Sequence, residues 1–170
     1  MDLKSKVRNI NDFPEKGIIF RDITTLIGDG EAYAYVIEKF VKKITPMNVD
    51  VILVLDARGF LIGSPVAYCL KKGIVPIRKA GKLPAETYQV EFQLEYGSDK
   101  FEMHKDAIQP GMRVVVLDDL LATGGTARAA VELVELAGGE VVALGFVIEL
   151  GDLKGKEKLQ GYNVFSLVEY

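Results

Sequence analysis

Three unbroken apolar runs, Val51–Leu55, Val114–Leu117 and Val141–Ile148, constrain this chain more than any other feature. A strand with one wet face alternates apolar and polar residues. A strand that is apolar at every position is covered on both faces, which is the condition of a parallel sheet sandwiched between helices. Helical patterns fall between the runs. Tyr33, Val36, Ile37, Phe40, Val41 and Ile44 fall on one helical face within Glu31–Ile44, and a second helix is expected from about Gly59 to Lys71, with Gly73 as its stop. Ile74–Ile77 then reads as a short strand whose Pro76 needs a position where its missing N–H does no harm. A third helix is expected over Gly125–Leu136, closed by Gly138 and Gly139, and a last strand over Val164–Val168. The fold class that follows is α/β, a mainly parallel twisted sheet with flanking helices. No linker, charge block or repeat interrupts residues 1–170, so one domain is expected. In such sheets ligands gather at the carboxyl ends of the strands.

One segment breaks the pattern. Tyr88, Val90, Phe92, Leu94 and Tyr96 alternate with Gln89, Glu91, Gln93 and Glu95, and after Gly97-Ser-Asp99 the alternation resumes at Phe101 and Met103. A strict period of two predicts an inserted two-stranded ribbon with its polar face in water, a suitable shape for a lid over a site. The formal net charge is −3, with 26% charged and 49% hydrophobic residues, so no nucleic-acid or membrane field is expected and an anion must be gripped locally. Cys69 is the only cysteine, which excludes an internal disulfide, and its apolar neighbours predict a buried packing thiol. His104 is the only histidine. The amino-terminal residues lack the apolar stretch of a signal peptide, and a cytoplasmic location is expected.

The strand ends carry the chemistry. Val114–Leu117 leads directly into Asp118-Asp119-Leu-Leu-Ala122-Thr123-Gly124-Gly125-Thr126 and then a helix. Two glycines let the backbone turn tightly, two threonines add hydroxyls, and the helix start adds free amides and the positive dipole end, which together make a cup for a phosphate. Charge-assisted hydrogen bonds of about 1.5–3 kcal/mol each hold an anion there without a lysine. The paired aspartates suit the two neighbouring hydroxyls of a ribose, or a magnesium ion. A nucleotide-triphosphate P-loop requires a lysine after the last glycine, and a dinucleotide fingerprint requires Gly-x-Gly-x-x-Gly; neither is present.

Two further strand ends are cationic. Leu55 leads into Asp56-Ala57-Arg58-Gly59, and Ile77 into Arg78-Lys79-Ala-Gly-Lys82-Leu-Pro84. Each taken alone is a surface arginine or a solvated basic turn as readily as an anion ligand. Placed beside a phosphate cup, the pair favours a substrate with phosphates at both ends.

These segments resemble the type I phosphoribosyltransferases, and adenine phosphoribosyltransferases in particular. The carriers are Asp118 to Thr126, the Arg58-Gly-Phe60 segment, Arg78-Lys-Ala-Gly-Lys-Leu-Pro84, Leu94-Glu95-Tyr96-Gly97 and Phe13-Pro-Glu-Lys-Gly-Ile-Ile-Phe20-Arg21. The similarity runs from about Phe13 to Tyr170; Ala57 departs from it where serine is common. The resemblance implies that Ala122, Thr123, Gly124, Gly125 and Thr126 wrap the 5-phosphate and that Asp118 and Asp119 take the ribose hydroxyls. It implies pyrophosphate binding by Arg58, Arg78, Lys79 and Lys82, some of them acting across a homodimer interface, and an acid or base role for Glu95 on a lid ribbon. It also implies an amino-terminal hood in which Phe20 stacks on adenine while the backbone of Ile19 and Arg21 reads its edge, and a cis peptide at Asp56–Ala57. The implied reaction converts adenine and 5-phosphoribosyl 1-pyrophosphate into AMP and pyrophosphate, with magnesium carried in by the substrate. The runner-up is a different purine, and beyond enzymes a sensor that keeps the same site.

Overall fold

The unbroken runs sit at the centre of a seven-stranded sheet in the computed structural model of the chain, which describes residues 1–93 and 98–170. In chain order the strands are β1 (Arg8–Asn11), β2 (Ile19–Asp22), β3 (Val51–Leu55), β4 (Gly73–Lys79), β5 (Thr87–Gln93), β6 (Ser98–His104), β7 (Arg113–Leu121), β8 (Glu140–Glu149) and β9 (Val164–Glu169). The helices are α1 (Thr24–Gly28), α2 (Gly30–Ile44), α3 (Arg58–Leu70) and α4 (Gly125–Leu136). The large sheet has the order β5-β6-β4-β3-β7-β8-β9, while β1 and β2 form a separate antiparallel pair. From β4 to β9 neighbouring strands are parallel, and the ribbon β5–β6 joins β4 antiparallel at Arg78 and Lys79.

Period two sorts each central strand between two cores. Val51, Leu53 and Leu55 of β3, with Val114 and Val116 of β7, face the side covered by α4 and the ribbon. Ile52, Val54, Val115 and Leu117 face α2 and α3. The apolar stripe of α2 lands on this second core, where Val36, Phe40 and Ile44 are fully buried. Asp29 caps α2 by accepting the amides of Glu31 and Ala32 at 3.1 Å each. Pro65 inside α3 cannot donate to the carbonyl four residues back, at Leu61, and that carbonyl instead accepts the Tyr33 hydroxyl of α2.

The predicted elements are present, with shifted ends and three corrections. The strand expected to stop at Leu117 continues to Leu121, because β8 is ten residues long and still pairs Asp118 with Phe146 and Leu121 with Glu149. The aspartates therefore lie on the strand, and the turn is confined to Ala122–Gly124. Cys69 is exposed rather than buried, since α3 turns Val66 and Ala67 inward and carries Tyr68 and Cys69 to the surface. The polar face of the ribbon is not all wet: Glu102 is only 2% exposed. Pro76 is accommodated as expected, since β6 joins β4 only beyond it and leaves that side of Pro76 without a ladder partner. Among the described residues no helix is long and apolar enough to cross a membrane.

Gly63 marks the closest approach of α3 to the sheet, since a Cβ there would run into Cγ1 of Val54. Alanine is the better helix former by about 1 kcal/mol, but Val54 is stiff and sits mid-strand. Gly63→Ala is therefore expected to destabilise by about 1–3 kcal/mol, a fall in Tm of about 3–10 °C measurable by calorimetry. An unchanged or raised Tm would show that propensity outweighs packing here.

Candidate functional site

Parallel pairing brings the carboxyl ends of β3, β4 and β7 to one edge of the sheet, and a cleft of about 730 Å³ opens there. Its floor and walls come from Leu55–Arg58 at the end of β3 and the start of α3, Lys79 at the end of β4, Asp118–Leu120 of β7, and Ala122–Thr126 across the turn and the start of α4.

The turn is built as a cup. Gly124 has φ +80°, and α4 begins after it with no side-chain cap, so its first-turn amides lack partners inside the protein helix. A Cβ on Gly124 would meet the carbonyl oxygen of Gly155, and a Cβ on Gly155 would meet the carbonyl oxygen of Ala122. The short turn at Gly155–Leu159 thus lies directly against the cup and fixes its shape. Gly155 carries no local sequence signal, and the contact emerges only in three dimensions.

Beside the cup stand the two aspartates. Asp119 is 4% exposed and accepts Nε of Arg58 at 2.6 Å. Asp118 faces the cleft and accepts the Asp119 amide at 2.9 Å. Gly59 allows this closeness, because a Cβ there would lie 2.9 Å from Oδ1 of Asp118. Burial and the neighbouring Asp119 charge push the Asp118 carboxyl well above the usual carboxylate range. Two carboxylates suit a magnesium ion that keeps waters and phosphate oxygens as its remaining ligands. Among the described residues no cluster of three or more metal-ligating side chains exists that would hold an ion by itself.

The cations expected at the far end are present, each on a carboxylate. Lys79 lines the cleft and pairs with Asp99 of β6 at 2.7 Å. Arg78 and Lys82 do not line it; both converge on one oxygen of Asp56, at 3.2 and 2.8 Å. Burial opposes the charge of Asp56, but Lys82 and Arg78 more than offset it and hold its carboxyl below the usual range. In the sequence Asp56 stands only as a neighbour of Arg58; its gathering role follows from β4 lying beside β3. The peptide Asp56–Ala57 is cis, as the resemblance implies. Phe92 and Phe101, whose ring centroids are 4.5 Å apart, add an apolar wall.

The amino-terminal pair β1–β2 reaches the site through one residue. Phe20 is half-buried, packs edge-on against Phe13, and lies under the Arg58 guanidinium at 5.6 Å. Ile19 is exposed, and the Arg21 side chain turns away to stack on Tyr170 at 3.9 Å and donate to Asn9. Only backbone groups of Ile19 and Arg21 remain for a ligand, on a strand with one unpaired edge. Glu95 lies outside the described residues.

The sequence model of the phosphoribosyl transferase domain matches residues 25–169. An adenine phosphoribosyltransferase of Alkaliphilus oremlandii is 55% identical over the whole chain and 99% of its own length, and one of Clostridium botulinum is 58% identical over the same shares. Among solved structures, the adenine phosphoribosyltransferase of Thermoanaerobacter pseudethanolicus superposes with a TM-score of 0.96 at 50% identity, covering 99% of this chain and 98% of that one. The Saccharomyces cerevisiae enzyme, solved with an imino-altritol bisphosphate and adenine, gives 0.94 at 39% identity, covering 98% and 96%.

The Asp118–Asp119 pair has a cost that pH reveals. A carboxyl raised in the folded state leaves the fold unpenalised at low pH, and stability is lost as pH rises from the unfolded value through the folded one. Asp118→Asn removes that titration. Its Tm should match that of the parent near pH 4 and exceed it at pH 8 by a few degrees, the shift that about 1 kcal/mol produces in a chain of this size. A Tm difference that is flat or inverted with pH would contradict the raised carboxyl.

Proposed function

From the premise that the chain belongs to the adenine phosphoribosyltransferases of the phosphoribosyl transferase domain family, converting adenine and 5-phosphoribosyl 1-pyrophosphate into AMP and pyrophosphate, we propose how its own residues divide that work within one domain. The observation that carries the division is the cleft itself, with a glycine cup and its unpaired helix amides at one end and arginine and lysine side chains at the other. Ala122–Thr126 hold the 5-phosphate and fix the sugar while the anomeric carbon passes from one partner to the other. Asp118 and Asp119 accept the ribose hydroxyls, and Arg58 and Lys79, joined by Arg78 and Lys82, take the pyrophosphate. The chemistry that magnesium supplies when bound is neutralisation of charge on the leaving pyrophosphate, with Asp118 and Asp119 as the protein groups that would meet it. Phe20 stacks on adenine, and the open edge of β2 at Ile19 and Arg21 offers backbone groups to its amino edge.

Substrate binding exchanges partners rather than adding charge to an empty place. Arg58, Arg78, Lys79 and Lys82 already neutralise Asp119, Asp56 and Asp99, so the phosphates compete with carboxylates for the same donors. As the bond from the anomeric carbon to the pyrophosphate oxygen loosens, positive charge grows on the sugar ring, and water must be kept out until the purine nitrogen bonds to that carbon; Phe92 and Phe101 supply the apolar wall, and the ribbon that carries them supplies the lid. Glu95 is the acid or base that serves the purine nitrogens. The solved Trypanosoma brucei relative, 25% identical with a TM-score of 0.91 over 98% of this chain and 77% of that one, holds AMP, pyrophosphate and ribose-5-phosphate, which supports the same set of ligands here. The working unit is a homodimer: α3 and the start of β4 leave Leu61, Tyr68 and Ile74 exposed, apolar surface that a second copy would cover.

The reading is tested by pyrophosphate release with adenine, hypoxanthine, guanine and xanthine offered separately. Adenine should exceed each of the others by at least about 100-fold in kcat/KM, and comparable rates with a 6-oxopurine would refute the base assignment. Glu95→Gln should lower kcat by about 100-fold while KM for adenine stays within about threefold. An unchanged kcat would remove Glu95 from acid–base chemistry.

A further inference from the structure

Glu102 is a buried charge that the reaction scheme leaves unused. It lies in the middle of β6, opposite Arg78 of β4 on one side and Gln89 of β5 on the other, and is 2% exposed. An ionised carboxylate in such a place survives only with full hydrogen bonding. Oε1 accepts the backbone amides of Lys82 at 2.9 Å and Leu83 at 2.7 Å, and Oε2 accepts Nε2 of Gln89 at 3.4 Å. Burial opposes the charge, yet the amides of Leu83, Gly81 and Lys82 outweigh it and hold the carboxyl below its usual range. The group is a fixed anion whose purpose is to bind backbone.

The backbone it binds is the turn after β4. Gly81 takes φ +86°, Ala80 donates to the Lys100 carbonyl at 2.9 Å, and the turn then folds onto Glu102. This turn begins at Lys79, whose side chain lines the cleft, and contains Lys82, whose Nζ reaches Asp56. Without Glu102, the Leu83 amide would be left with no acceptor, the Lys82 amide would keep only the Lys79 carbonyl at 3.3 Å, and the turn would lose its anchor to the sheet.

We propose that Glu102 is the positioning residue of the pyrophosphate site, holding the Lys79–Lys82 turn so that its cations meet the leaving group as a rigid unit. This rests on the pyrophosphate role given to that turn. Glu102 touches no substrate; it acts through the turn. A carboxylate in this place does what a lysine or arginine cannot: it collects amides from behind, while the lysine side chains of the turn stay on Asp99 and Asp56 at its other side.

The test uses Glu102→Met, which fills the same space without an acceptor, and Glu102→Gln, whose carbonyl oxygen still accepts both amides. Each is titrated with pyrophosphate plus magnesium and, separately, with AMP, whose phosphate belongs at the distant Ala122–Thr126 cup. Glu102→Met is expected to weaken pyrophosphate binding about tenfold or more, the loss of one charge-assisted hydrogen bond or more, with AMP affinity unchanged within about twofold. Glu102→Gln is expected to restore pyrophosphate affinity to within about threefold of the parent. Unchanged pyrophosphate binding in a folded Glu102→Met protein overturns the proposal, and so does an equal loss for both ligands. If Glu102→Met does not fold, Glu102→Gln decides: pyrophosphate binding as weak as that of Lys79→Ala overturns the acceptor role, whereas near-parental binding supports it. A parent protein that binds AMP but not pyrophosphate would instead refute the pyrophosphate site on which the proposal stands.

Discussion

Everything in this molecule hangs on the parallel ladder between β3 and β7. Val51 to Val54 pair with Val114 to Leu117, each strand buried on both faces, so neither can shift by one residue without exchanging its two cores. Parallel pairing makes both strands end at the same edge, and each end feeds a helix start: Arg58 opens α3 and Gly125 opens α4. The Arg58–Asp119 ion pair then ties one of those ends to the other at 2.6 Å. The cleft is a by-product of strand direction; residue choice decides what it binds.

How much was legible in advance depended on how local each signal is. The α4 span, the β3 core and the Ala122–Thr126 turn are dictated by neighbours in sequence, through apolar period and glycine placement, and they stand where the residues implied. The full length of β7 was not legible, because Asp118 and Asp119 look like a strand terminus and remain in the ladder only because a long β8 runs beside them. Glu102 looked solvated by alternation, and only the turn that folds over it removes the water. Cys69 sat in an apolar stretch, but helix rotation outranks local composition. Gly155 and Asp56 act on residues far along the chain, and no pattern within a short window encodes such contacts.

The charges of the site share a common design. Arg58 leans on Asp119, Arg78 and Lys82 on Asp56, and Lys79 on Asp99, so a region rich in cations costs the folded chain little repulsion. These pairs are half-exposed on their basic side and contribute little stability of their own. Their use is to hold long side chains in a few orientations, which lowers the ordering entropy charged to ligand binding. The exception is Asp118, whose burial and neighbouring Asp119 charge disfavour its ionised form in the folded chain.

The interlock of Gly124 with Gly155 bears on how the protein comes into being. The cup is shaped by a turn that is made some thirty residues later, after α4 and all of β8. During synthesis the strand, the turn and the helix start can emerge and even pair, yet the cup lacks its backing until the chain has passed Gly155. A nascent polypeptide that stops short of that point carries the whole Ala122–Thr126 motif without the backbone that packs against it, so the cup proposed for phosphate is completed late in synthesis.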